Sequence, residues 1–239
     1  MDGEPMAPKD WLLLELPLME YGEAWDLQSR LVKARGEGRV NHDILLILEH
    51  LPVLTLGRQG NREHLLVTEN FLQSKGISLF HVERGGDVTY HGPGQIVCYP
   101  VVNLRGTGWK IAKFVETLEE IMISTARDWG IDAQRSSVNR GVWVGKRKLG
   151  SIGIAIRRGV SFHGLALNVN TSLEPFSWID PCGLEGVLMT SMEQLLGKKI
   201  PMEDARESLK GHIQKLFNVK FTNISLDEIK GGAFWTDPI

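Results

Sequence analysis

Three stretches carry residue types that could do chemistry. The first is Ile179-Asp180-Pro181-Cys182-Gly183-Leu184-Glu185-Gly186, which sets one of only two cysteines between a proline and a glycine. A thiol so placed can be a buried filler, a metal ligand, half of a disulfide or a nucleophile. The second is Gly145-Lys-Arg-Lys-Leu-Gly-Ser-Ile-Gly153, where Lys148 is followed closely by glycine and serine, leaving room for a ligand beside an amine. The third is Arg84-Gly-Gly-Asp-Val-Thr-Tyr-His-Gly-Pro-Gly-Gln95, in which His91 and Tyr90 stand among four glycines. It matches neither the dinucleotide-binding nor the Walker pattern. Its composition predicts a tight loop whose backbone a ligand can approach closely.

The remaining groups narrow the choice. Cys98 lies in an apolar run and reads as filler, and two cysteines make no disulfide framework. Seven scattered histidines, with no HExxH and no CxxC, give a poor local signal for a metal, and none is expected. The formal charge of -2 argues against a nucleic-acid binder, yet from Ala133 to Ser172 there are seven Lys and Arg and no Asp or Glu. That stretch predicts a basic face able to attract an acidic partner or a phosphate. No run is long enough for a membrane span, and the acidic start resembles neither a signal nor a transit peptide, so a cytoplasmic protein is expected.

Strands are expected over 12–18, 43–50, 53–57, 77–83, 96–105, 141–145, 149–156 and 160–170, and helices over 21–38, 67–76, 109–130, 190–197 and 201–220. On the 109–130 helix Ile111, Phe114, Leu118, Ile121 and Ala126 favour one side. Thr68 caps the second helix, and Thr190 or Ser191 begins the one at 190–197, Thr190 with Glu193 having capping-box spacing. This order predicts an α/β protein with a mixed central sheet flanked by helices, not a regular βαβ series. A single catalytic domain is expected over residues 1–217, with a small helical part from about 190, followed by a peripheral tail over 218–239.

Three motifs in register, "RGGDVTYHGPGQ", "KLGSIGIAIRRGVSFHGLALNVN" and "PCGLEG", resemble the lipoyl(octanoyl) transferase family of the biotin/lipoate protein ligase-like fold group, over about residues 21–197. The resemblance implies that Cys182 is the catalytic cysteine and Lys148 the catalytic lysine. It implies octanoyl transfer from octanoyl-acyl carrier protein to a lysine of lipoyl domains (2-oxoacid dehydrogenase complexes and the glycine cleavage H protein) through a cysteine thioester, with no cofactor. A monomer is expected. Substrate-binding positions implied by the matching motifs are Arg84, Gly85, Gly86, Thr89, Tyr90, His91, Gly92, Gly94, Gln95, Ser151, Ile152, Gly153, His163, Gly164, Leu165 and Gly183. Backbone N–H groups at Cys182, Gly183 or Ser151–Gly153 are candidate oxyanion donors. A free lysine titrates near ~10.4, so a basic role for Lys148 calls for burial or neighbouring cations. Ile152, Ile154, Leu165 and Leu167 are candidates for an acyl channel, or equally for ordinary core. Asp87 departs from the family, whose loop often has glutamine there. Competing readings are an ATP-dependent lipoate or biotin ligase, a noncatalytic acyl-binding module and a cysteine hydrolase.

Overall fold

The computed structural model describes residues 7–137, 139–180 and 187–231. In chain order the elements are β1 (Lys9–Glu15), α1 (Tyr21–Gly36), β2 (Asp43–Leu48), β3 (Val53–Leu56), α2 (Glu69–Ser74), β4 (Ser78–His81), β5 (Val88–His91) and β6 (Gln95–Val101). Then come α3 (Leu104–Thr107), α4 (Ile111–Asp128), β7 (Gln134–Arg135), β8 (Val142–Val144), β9 (Arg147–Arg157) and β10 (Val160–Asn168). The last are β11 (Leu188–Met189), α5 (Met192–Leu196), α6 (Met202–Phe217), β12 (Val219–Asn223) and α7 (Leu226–Gly231).

Among the described residues the main sheet runs β12-β1-β2-β6-β10-β9-β8-β7, with β11 alongside β9. It is mixed: β1 is parallel to β2 and β12 and β11 is parallel to β9, whereas the β2/β6, β6/β10, β10/β9 and β9/β8 pairs are antiparallel. Strand β2, Asp-Ile-Leu-Leu-Ile-Leu, is buried throughout because helices cover both faces. Leu45 and Ile47 point to the α4/α6 side with Ile96, Cys98, Leu165 and Leu167. Ile44, Leu46 and Leu48 point to the α1 side with Val97, Tyr99 and Phe162. The period-two alternation of a strand thus divides one apolar run between two cores. A second sheet, β4-β3-β5, packs with α2 and the 3₁₀ turn Glu174–Trp178.

Several expectations need correction. Val88–His91 inside the glycine-rich segment is strand β5, antiparallel to β3, not loop. Ile111, at the first position of α4, is exposed, while Phe114, Leu118, Ile121 and Ala126 are buried. Thr68 caps α2 by accepting from the Phe71 N–H, but Ser191, not Thr190, caps α5 by accepting from Gln194 N–H. Over residues 218–231 the chain is not a peripheral tail: β12 extends the main sheet beside β1, and Ile229 of α7 is fully buried in the α1-side core. Among the described residues no helix is long and apolar enough to cross a membrane.

Candidate active site

Strand β9 places Lys148 next to its first residue, one position after the exposed Arg147. Alternation turns the lysine inward, where it is 2 % exposed. Its Nζ donates to Asn139 Oδ1 at 2.8 Å and sits 5.5 Å above the Trp143 ring. Farther along β9, Gly153 meets the glycine-rich segment. A Cβ at Gly153 would lie 2.8 Å from Gly85 O, and Gly85 N–H donates to Ile154 O at 2.9 Å. The two motifs therefore dock backbone to backbone, which requires glycine at position 153, whereas a Cβ at Gly85 would meet only Ile154 O at 3.5 Å, an ordinary contact.

Between them lies a cavity of about 370 Å³, within the ~300–1,000 Å³ usual for small-molecule sites. Of the residues assigned from sequence, Lys148, Arg84, Gly85, Gly86, Thr89, His91, Ser151, Ile152, Gly153, His163, Gly164 and Leu165 line it. Ile154 lines it too, while Leu167 belongs to the core under α4. Tyr90, Gly92, Gly94 and Gln95, expected to bind substrate, are not among the lining residues. Each makes contacts within the fold. Tyr90 packs edge-on against Phe176, and a Cβ at Gly92 would strike the Tyr90 ring. Gly94, at φ +80, has its N–H on Glu49 and its carbonyl on the backbone N–H of Asn170. Gln95 holds His91. Cys182 and Gly183 lie outside the described residues, and with them the proposed nucleophile. The chain enters that segment through Ile179 and Asp180, tied to Leu65 and to His64 O.

Arg84 is buried and spends its guanidinium on the protein: Nη2 donates to Thr55 O at 2.7 Å and to Thr55 Oγ1 at 2.8 Å, and Nη1 to Gly85 O at 3.1 Å. His91 Nδ1 lies 2.7 Å from Gln95 Oε1, whose amide nitrogen donates to Tyr90 O and Asn168 Oδ1. The amide oxygen accepts, so His91 carries its proton on Nδ1 and presents Nε2 as an acceptor. Burial pushes its pKa down to about 3. Behind it, His50 accepts from the Tyr99 hydroxyl at 2.8 Å through Nε2 and is held by burial at about 4. His163 sits in β10 with φ +53, a strained conformation for a histidine. Its N–H donates to Gln28 Oε1 of α1, and neither ring nitrogen has a hydrogen-bond partner among the described residues. Glu83 Oε2 is 3.8 Å from its Nε2, an ion-pair distance too long for a hydrogen bond. Burial lowers the His163 pKa. Three histidines far apart in sequence thus converge, but among the described residues no group of three or more His, Cys, Asp or Glu could hold a metal ion.

Cys98 is fully buried in β6, and burial raises its thiol far above the usual range, so it makes a poor nucleophile. The expected basic face is largely neutralised by acids from elsewhere in the chain. Arg135 pairs with Glu119 and Glu120, Arg140 with Glu119, Arg157 with Glu83 and Arg158 with Glu37. Lys146 and Arg147 remain exposed at the turn before Lys148. Asp87, the departure from the family pattern, lines the cavity and lies 2.7 Å from His64 Nδ1, raising the His64 pKa. The angle of that contact is poor for a hydrogen bond, and it is best described as a charge contact. Sequence reading missed Tyr21, Tyr99, Val115 and Asn139 as cavity residues. Only Asn139 left a trace, as a turn residue beside Arg140 in the acid-free stretch.

Residues 20–214 match the family described as the lipoyl protein ligase A/B catalytic domain. The fold agrees with solved structures of that class. A lipoate-protein ligase A bound with ATP superimposes with a TM-score of 0.71 at 18 % identity, covering 96 % of this chain and 93 % of that one. The bipartite lipoate protein ligase of Thermoplasma acidophilum gives 0.72 at 18 %, covering 95 % and 91 %. At these identities the likeness establishes the fold. Sequence relatives go further. An octanoyltransferase of Syntrophobacter fumaroxidans is 46 % identical over 91 % of this chain and 95 % of its own. Another, from Desulfotalea psychrophila, is 44 % identical over 91 % and 99 %. The chain belongs to the octanoyltransferase family and carries the lipoyl protein ligase A/B catalytic domain.

Proposed function

We propose that the protein moves an octanoyl group from octanoyl-acyl carrier protein to a lysine of lipoyl domains, through a thioester on Cys182. The observation that carries this reading is a lysine, Lys148, buried in the wall of a cavity whose other walls include the glycine-rich segment and the middle of β10. In the first half-reaction the Cys182 thiol gives its proton to the Lys148 amine and its sulfur attacks the carrier thioester. The carrier thiolate leaves and takes that proton from the Lys148 ammonium, which returns to the amine, and the octanoyl group stays on Cys182. In the second, the acceptor lysine amine attacks the new thioester, Lys148 takes the proton the amine sheds, and the Cys182 thiolate leaves and recovers that proton from Lys148 as the thiol. The acyl group arrives activated, so no ATP is needed. Burying the octanoyl methylenes against Ile152, Ile154, Val115 and Leu165 contributes about 5 kcal/mol before the costs of association. The exposed Lys146 and Arg147 offer an acidic carrier a docking charge beside the site. The acceptors are the lipoyl domains of 2-oxoacid dehydrogenase complexes and the glycine cleavage H protein.

The test is an intact-mass experiment without ATP. Octanoyl-carrier protein should add one octanoyl group to the protein as a hydroxylamine-labile adduct, and added lipoyl domain should remove it. Cys182→Ser should abolish the labile adduct, and Lys148→Ala should slow both half-reactions by ~10²–10⁴-fold. Transfer that requires ATP would identify a ligase instead. An adduct lost to water faster than to the lipoyl domain would identify a hydrolase.

A further inference from the structure

Asn139 and Arg140, which line the cavity, belong to one polar turn, Asn139-Arg140-Gly141, that the reaction scheme has not used. Its geometry is set from both sides. From α4, the buried Glu119 accepts from Gly141 N–H at 3.1 Å with one carboxylate oxygen and contacts Arg140 Nη1 at 3.4 Å with the other. From β8, Trp143 Nε1 donates to Asn139 O at 3.3 Å. Gly141 has φ +121, and a Cβ there would lie 2.3 Å from Gly150 O and 2.9 Å from Lys148 Cε. The turn is pressed between α4 and β9, against the lysine stem, and delivers Asn139 Oδ1 to Nζ at 2.8 Å.

We infer that Asn139 is a positioning residue for Lys148: its amide oxygen fixes Nζ at the cavity wall without adding negative charge, and Glu119 fixes the turn that carries it. The inference rests on the proposed role of Lys148 as the proton acceptor. An amide oxygen accepts an N–H from the amine and from the ammonium alike, so it holds Nζ through the whole proton cycle. A carboxylate at the same place would hold it just as well but would favour the ammonium. Glu119 keeps its own carboxylate on the far side of the turn, against Arg135 and Arg140. The other charged or titratable groups of the cavity wall are Arg84, Asp87, Arg140, Tyr21, Tyr99 and the buried His91 and His163.

The experiment is single-turnover loading of the full chain with octanoyl-carrier protein across pH 5.5 to 9.5, reading both the plateau rate and the acid limb of the profile. Wild type, Asn139→Asp, Asn139→Ala, Glu119→Gln and Lys148→Ala are compared. Asn139→Asp should move the acid limb up by about one pH unit or more and recover toward the wild-type rate at high pH. Asn139→Ala and Glu119→Gln should lower the plateau about tenfold without raising the limb. The folded fraction of each variant is followed by circular dichroism at every pH and the rates are referred to it, so that acid unfolding of a weakened variant cannot imitate a movement of the limb. If Asn139→Asp follows the wild-type limb while Lys148→Ala has lost loading, the inference on Asn139 is wrong and the proposed function stands. If Glu119→Gln keeps the wild-type plateau, Glu119 has no part in the positioning. If Lys148→Ala loads at the wild-type rate, the proton-acceptor role falls, and this inference with it.

Discussion

At the scale of single residues, the site depends on charged groups that are buried and then used by the protein itself. Arg84 illustrates this. Its motif position resembles a substrate ligand, and it does line the cavity, yet its guanidinium bridges Thr55 on β3 and the Gly85 carbonyl. It thereby ties the small sheet to the glycine-rich segment. A lysine cannot span those acceptors, because an ammonium is a point donor where the fork of guanidinium nitrogens reaches several groups at once. Arg84→Lys should therefore destabilise the fold by roughly 2–3 kcal/mol, the range for lost hydrogen bonds to a charged group. Thr55→Ser, which keeps the hydroxyl and the carbonyl, should cost much less. Urea denaturation of the two variants checks the difference. Equal midpoints would mean that the bridge contributes little and that Arg84 is kept for the ligand.

At the scale of elements, β12 and α7 extend the domain past the boundary at 218 expected from sequence. Strand β12 lies parallel to β1 from Lys9↔Val219 to Leu13↔Asn223, and Ile229 of α7 is fully buried. Deleting residues 219–239 should expose the β1 edge and lower the melting temperature. Ile229→Ala alone should cost ~2–5 kcal/mol. A truncated chain that melts like wild type would show these elements to be dispensable. The reason the boundary was misread is physical. "VKFTN" is short and polar on alternate positions, as an edge strand must be, so it carries no apolar run to announce itself. The central strands and the long helices were legible because their apolar periodicity is strong. Strand β5 was not, since the glycines before it and Gly92-Pro93-Gly94 after it signal turns while its partner β3 lies far back in the chain. The motif residues around Lys148 and His163 were legible through resemblance. Asn139 was not, because a turn has no period and its bond to Lys148 depends on Glu119 of α4. The basic stretch misled for the same reason: its counter-charges, Glu37, Glu83, Glu119 and Glu120, arrive from other elements.

At the scale of the whole molecule, the two sheets meet over buried, neutral histidines, and this sets how the fold responds to acid. Burial holds His50 at about 4 and His91 at about 3, against ~6.5 in an unfolded chain. Between those values the unfolded state binds more protons than the folded one, so stability rises with pH. It is fully present above about 6.5 and is lost as pH falls toward 4 and then 3. At pH 5 the loss is on the order of 2 kcal/mol for each histidine. The lowered pKa of His163 acts in the same direction. His64, raised by Asp87, acts in the opposite one, stabilising below its unfolded value and losing that effect as pH rises through its folded one. His64 is partly exposed, so solvent screens its contribution. Urea midpoints should therefore fall markedly between pH 7.5 and pH 5, before the carboxylates begin to protonate. His50→Gln can retain hydrogen bonds to the Tyr99 hydroxyl and the Met19 carbonyl while removing one of three titrating groups, so it should flatten that fall by about a third to a half. An unchanged fall in His50→Gln would place the acid sensitivity outside this seam. A fall that vanishes altogether would mean that His50 alone, and not the pair with His91, sets the acid limit of the fold.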